Sequence, residues 1–353
     1  MPSVEASGPS QRQHPRREKR LRFLDGLRGI AATLVLLYHL VGRTRIATLT
    51  DRGYLGVAIF FVLSGFVITS VLAGRRMSLG FLGRFALRRM IRLDLPYWVN
   101  IVVVLLMMGI AAKLGVPKNS ISVAQVAAHL VYLQTLLGYP EISSVYWTLC
   151  LEVQFYLTLI LLLWGAQRIG VRRSYFLLGF MILMGASAVS NTSWIHTPDG
   201  LMFPYWWAFA LGALCYWTVA GEASVLYLAV GCVVLAGSAF APHGDWRVTA
   251  TVTAALIYLA WRRNAMDAWL TDRVSQFLGR TSYSLYLFHP VVGWSAQSLA
   301  LRYVNQWLAL AAGISASLVA SWIAYRLIER PSINLSHRVS LAPKNAQACA
   351  SAA

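Results

Sequence analysis

The sequence predicts an all-α membrane protein: a polytopic helical bundle of about ten transmembrane helices with both termini cytoplasmic. Three observations lead there. The 353-residue chain is 58% hydrophobic and only 12% charged, with a mean hydropathy of +0.57, where a soluble domain carries about 25% charged residues. Apolar runs of about 20 residues, enough to cross a ~30 Å hydrocarbon core, recur from end to end. Cations gather between those runs, so the formal net charge of +18 reads as a topology signal and not as a nucleic-acid surface. The runs are continuous rather than alternating, which disfavours a β-barrel.

Residues 1–20 form a polar, Arg-rich stretch, expected to be a disordered cytoplasmic tail. The apolar run that follows is long and lacks a small-residue cleavage site, so it reads as an uncleaved first span. Spans are expected at 23–42, 53–73, 94–112, 145–165, 174–190, 201–219, 225–241, 247–261, 281–300 and 307–327. With the N-terminus inside, 23 of the 31 Lys and Arg residues fall on inner segments and 7 on outer ones; Arg28 lies within the first span. That asymmetry sets the orientation. The stretch "SVAQVAAHLVYLQTLLG" within 113–144 is apolar as well. A full crossing there would invert every later loop, so it is expected to lie on, or dip into, the outer face. Residues 21–331 then form one membrane domain and 332–353 a cytoplasmic tail. Cys150, Cys215, Cys232 and Cys349 form no CxxC or Cys/His pattern. Neither a metal site nor a disulfide framework is indicated.

Ionisable residues inside spans are costly and face a cavity or a partner. The first span, within "LRFLDGLRGIAATLVLLYHL", holds three: Asp25, Arg28 and His39. At ~100° and ~1.5 Å per residue, Arg28 and His39 lie about 20° apart on one stripe and ~16 Å apart along the axis. Asp25 falls within about 60° of Arg28 but ~21 Å from His39, too far for a hydrogen-bonded dyad. If His39 acts as a base, its orienting group comes from another span. Glu152 in "SVYWTLCLEVQFYL" and His289 in "TSYSLYLFHPVV" are the candidates. The plainer readings are a snorkelling Arg28, a carboxylate paired with an arginine, and packing histidines. In "RFALRRMIRLDLP", Arg88, Arg89 and Arg92 sit at helical spacings beside a membrane surface. They read either as lipid-phosphate contacts or as a clamp for an anionic cytoplasmic ligand. Ser64 lacks the GxSG setting of an intramembrane serine protease and is discounted as a nucleophile.

The blocks "RFLDGLRGIAATLVLLYH", "GVAIFFVLSGFVIT", "RRMIRLDLPYW", "YWTLCLEVQFYL" and "SYSLYLFHP", in that order, resemble the membrane acyltransferase-3 family. The resemblance implies transfer of an acyl group, acetyl above all, from cytoplasmic acyl-CoA to a hydroxyl of a carbohydrate such as a cell-surface or exported polysaccharide. It implies a bacterial inner membrane. It places the family's Arg-x10-His pattern on Arg28 and His39, and its paired arginines on Arg89 and Arg92. Some members carry a soluble esterase-like domain after the membrane part; residues 332–353 are not expected to provide one. The residue chemistry fits: a histidine base takes the acceptor proton, arginines hold the donor phosphates, and Asp25 orients the arginine end. The rival readings are acylation of a lipid or macrolide-type molecule, and a polytopic transporter or flippase. The absence of an internal repeat weighs against the last.

Overall fold

A computed structural model of the chain describes residues 21–42, 48, 50–115, 120–190, 200–240 and 244–341. The tail 1–20, residues 342–353 with Cys349 and Lys344, and Arg43, Arg45 and Lys118 lie outside the described residues. Among the described residues there are twelve α-helices and no strand. In chain order they are α1 (Arg22–Val41), α2 (Gly56–Leu72), α3 (Leu79–Lys113), α4 (Val123–Leu130), α5 (Tyr146–Arg168), α6 (Arg173–Val189), α7 (Trp206–Val219), α8 (Val225–Gly237), α9 (Gly244–Arg262), α10 (Arg273–Ala300), α11 (Gln306–Ala324) and α12 (Arg330–Ser336). A π-helical turn, Tyr325–Glu329, joins the last two.

Five segments are long and apolar enough to cross a membrane: Arg22–Val41, Gly53–Leu72, Leu79–Lys113, Tyr146–Arg168 and Gln306–Ser336. Arg173–Val189 and Val225–Gly237 are apolar but shorter. Their outer faces carry Leu106, Ile110, Leu157, Leu161, Ile182 and Val233. Each is more than half exposed, which suits a surface whose solvent is lipid rather than water. The molecule is thus an integral membrane protein built as an all-α bundle.

Two helices start earlier than the apolar pattern predicts. The span expected from 94 belongs to an α3 that begins at Leu79, where the Ser78 hydroxyl caps the Phe81 amide at 3.2 Å. The basic segment is therefore the cationic first half of one 35-residue helix, not a loop. α10 begins at Arg273, where Asp272 accepts from the Val274 and Ser275 amides at 3.1 and 2.9 Å. The Ser275 hydroxyl and amide hold the Asp272 carboxyl below its ordinary range. The tail expected from 332 begins as helix, because α12 runs on to Ser336.

The apolar stretch within 113–144 contributes only the eight-residue α4, about 12 Å long and far short of the hydrocarbon core. His129 pins it. Its Nδ1 donates to the Gln125 carbonyl at 2.8 Å, and its Nε2 accepts from the Ile142 amide at 3.1 Å. A carbonyl only accepts, so the tautomer is set, and this buried histidine holds the folded-back segment together.

α1 packs along α10, α10 along α11, and α2 along α7. The first of these seams positions the site. Gly29 and Gly279 face each other across it: a Cβ on either would strike the backbone of the other helix. Small residues at such a crossing let two helices approach backbone to backbone. Both helices leave this crossing in the same direction. His39 lies ten residues beyond Gly29, and His289 ten residues beyond Gly279, so both climb ~15 Å along their axes.

Candidate active site

At the far end of the α1–α10 seam, His39 Nδ1 lies 2.8 Å from His289 Nε2. His289 is fully buried, and its Nδ1 lies 2.9 Å from the Leu285 carbonyl oxygen. That carbonyl accepts, so His289 Nδ1 carries a proton and, in the neutral ring, Nε2 carries a lone pair. His39 Nδ1 must then donate, which leaves the neutral His39 ring with its basic lone pair on Nε2. The seam locks this arrangement: Trp294 Nε1 donates to the His39 carbonyl at 3.1 Å, and Gln297 Nε2 to the Leu40 carbonyl at 3.2 Å. Of the two partners expected for His39, His289 takes the place. The described partners of Glu152 are all elsewhere.

Glu152, on α5, accepts from the Ser64 hydroxyl at 2.6 Å and from the Tyr156 hydroxyl one turn along its own helix. Arg89 donates to the Tyr156 hydroxyl, stacks 4.3 Å from that ring's centroid, and lies 3.7 Å from the Glu152 carboxylate. The plainer reading of Glu152, a carboxylate paired with an arginine, describes this geometry. Ser64 serves as a donor within it.

Arg28 of α1 and Arg89 and Arg92 of α3 come together. All three line one cavity together with Glu152, Ser64, Thr148, Tyr283 and Tyr286. Three guanidiniums against one carboxylate leave that lining with excess positive charge, which suits a phosphorylated ligand. Glu329 stands behind the cluster, facing Arg28 and Arg92 electrostatically while accepting from the Ser284 hydroxyl at 2.6 Å and its amide at 3.2 Å. Arg88 turns away to the residue just past α12, where it meets His337 Nδ1 at 2.8 Å. Asp25 sits in the first turn of α1, where a carboxylate complements the helix dipole, and its backbone abuts Gly279. It is one end of the helix away from His39, as the spacing requires.

Tyr286 links the two groups. Its hydroxyl donates to Thr148 at 2.7 Å, because Thr148 itself donates to the Val145 carbonyl. Its ring lies 6.3 Å from that of His289 and 5.5 Å from that of Phe60, another cavity residue. The cavity therefore runs from the arginines to the ring that abuts the histidine pair. Among the described residues, no group of three or more His, Cys, Asp or Glu residues is placed to hold a metal ion. Cys150, Cys215 and Cys232 are free thiols.

Sequence reasoning missed Tyr156, Tyr283, Tyr286 and Glu329. Tyr156 was within reach, since it lies four residues after Glu152 and so shares its helix face. Glu329 gave a weaker signal: a lone carboxylate between the last span and Pro331 reads as a span end.

The chain is 27% identical to a protein named as a membrane-bound transacylase, BcsY of Komagataeibacter xylinus, over 93% of this chain and 87% of that one. It is 24% identical to the peptidoglycan O-acetyltransferase OatA of Listeria monocytogenes, over 87% of this chain and 55% of that one. A Staphylococcus aureus protein named as an O-acetyltransferase, SACOL0978, is 34% identical over 39% of this chain and 24% of its own length. The chain thus spans most of the first relative, about half of the second and about a quarter of the third. No solved structure matches. The model of the acyltransferase domain of the acyltransferase-3 family matches residues 21–326, nearly the whole membrane bundle: the chain is an acyltransferase and belongs to that family.

Proposed function

We propose that the protein transfers an acyl group, acetyl above all, from acyl-CoA to a hydroxyl of a carbohydrate acceptor in the bacterial inner membrane. Arg28, Arg89 and Arg92 bind the phosphates of the donor at the cytoplasmic face. Glu152 and Tyr156 hold Arg89 in place, and Asp25 steadies the arginine end of α1. The thioester reaches along the cavity toward Tyr286. His39 is the general base and His289 orients it. The acceptor O–H proton passes to His39 Nε2 as the acceptor oxygen bonds to the acyl carbon. The carbon–sulfur bond then breaks, and the departing thiolate takes the proton from the imidazolium, returning the ring to its starting state.

The observation that carries this reading is the directed contact between His39 and His289. The carbonyl of Leu285 fixes one ring, that ring fixes the next, and the basic nitrogen of His39 is defined before any substrate arrives. Such preorganisation is what general-base catalysis requires. The test is transfer from labelled acetyl-CoA to candidate glycans by purified protein in lipid discs. His39→Ala should leave a folded protein that binds donor while turnover falls about 10²–10⁴-fold. Near-parental transfer by that variant would remove His39 from the chemistry.

A further inference from the structure

Beyond His39, on the side away from the arginines, stands a second group of aromatic residues that the donor chemistry does not use. Tyr38 lies beside His39, ring centroids 5.2 Å apart, and meets Tyr54 edge-on at 5.7 Å. Tyr54 stacks on Trp246 at 5.9 Å, with 29° between the ring planes. Trp246 in turn meets Tyr205 at 5.8 Å and Phe61 at 6.4 Å. Phe61 and Val57 line the arginine cavity, and Tyr54 is about one helical turn beyond Val57. The aromatic group therefore begins where the cavity ends.

Two features separate it from the aromatic belt of a membrane protein. Belt residues point outward to the headgroups, as do Tyr303 (79% exposed), Trp307 (50%) and Trp322 (45%). Trp246 is 9% exposed and stacks inward. The group also holds a carboxylate. Asp245 accepts from the Tyr54 hydroxyl through one oxygen and from the Trp246 amide at 2.9 Å through the other. An ionised carboxylate has about four lone-pair sites, so these two bonds leave it capacity to accept hydroxyl donors.

We infer that Tyr38, Tyr54 and Asp245, with Trp246 packed behind Tyr54, form an acceptor subsite that seats one pyranose ring of a glycan beside His39. A pyranose offers an apolar C–H face to lie on an aromatic ring and hydroxyls at its edge to donate to a carboxylate. A lipid tail would use the rings and leave the carboxylate unmatched, and a phosphorylated ligand would be repelled by it. The subsite rests on the acyl-transfer reading for its purpose, and its binding is measured without any donor.

Isothermal titration calorimetry of the detergent-purified chain with β-1,4-linked pentamers of glucose and of N-acetylglucosamine tests this. At least one pentamer should bind, and Tyr54→Leu and the near-isosteric Asp245→Asn should each weaken binding about tenfold or more. The lipid-facing Trp307→Leu should bind as the parent does. Unchanged melting temperature and gel-filtration profile establish that each variant is folded. Absence of binding heat with both pentamers, or equal affinity in all variants, overturns the subsite. If the pentamers bind through Tyr54 and Asp245 while no acyl transfer is detected, the subsite holds and the acyl-transfer reading falls.

Discussion

The imidazoles of His39 and His289, 250 residues apart in the chain, meet at 2.8 Å in a contact whose direction of donation is fixed. In the proposed reaction His289 is therefore a positioning residue and not a second base. Replacing it by Phe keeps the bulk but removes the acceptor for His39 Nδ1. The ring then loses its defined tautomer, and kcat should fall about 10²-fold, the scale of a mispositioned reacting group, with KM for acyl-CoA little changed. His289→Gln, whose side-chain carbonyl still accepts, should recover part of the loss. Equal kcat in the Phe and Gln variants would show that His289 only fills space.

The cavity arginines should divide their effects differently. Arg92→Ala removes one of three guanidiniums from the lining, so KM for acyl-CoA should rise about tenfold or more, the scale of one lost charge-assisted contact. Arg89→Ala should also lower kcat, because it leaves Glu152 and Tyr156 without the cation they face. Arg→Lys should restore binding only in part where the contact is bidentate. Initial-rate kinetics with varied donor separate the two cases. Parental KM in both alanine variants would remove the arginines from donor binding.

The glycine crossing makes a prediction about distance. Gly29→Leu forces α1 away from α10 at a point ~15 Å from the histidines. The protein should lose stability by about 1–3 kcal/mol, as expected of overpacking, and transfer should fall further than the lost folded fraction accounts for. Gly83→Leu, at a position open around its Cβ, is the control. Thermal unfolding and turnover measured on the same preparations decide it. Full activity per folded molecule would show that the seam tolerates separation.

Ten crossings with cytoplasmic ends make a further prediction. Single cysteines at residues 20, 80, 270 and 340, in a chain freed of its own thiols, should react only after the membrane is opened. One at residue 195 should react with an impermeant maleimide in intact cells. Labelling of 80 or 340 from outside, or protection of 195, overturns that topology.

Local geometry accounts for what the sequence disclosed. The stripe joining Arg28 to His39 follows from 3.6 residues per turn within one helix, and the structure keeps it. The cations of α3 were legible as charge at helical spacings but not as the first half of the spanning helix, because their low hydropathy set the expected span at 94 and hid the start at Ser78. Pairings between helices had no local signature. Nothing in "SYSLYLFHP" indicates that its histidine meets one 250 residues earlier. Ser64 reaches Glu152 across 88 residues by packing alone. The glycine seam was hidden for a related reason: a glycine in an apolar run reads the same whether it faces lipid or another backbone.

That seam joins α1 to α10, far apart in the order of synthesis. The ribosome completes His39 some 250 residues before His289, and at about 5–20 residues per second the interval is between about 12 and 50 seconds. During that time α1 waits in the membrane with its stripe unmatched. A chain cut between α1 and α10 contains His39 but lacks His289, the partner that orients it in the proposed reaction. On the proposed mechanism such a fragment should transfer acyl groups no faster than the His289→Phe variant.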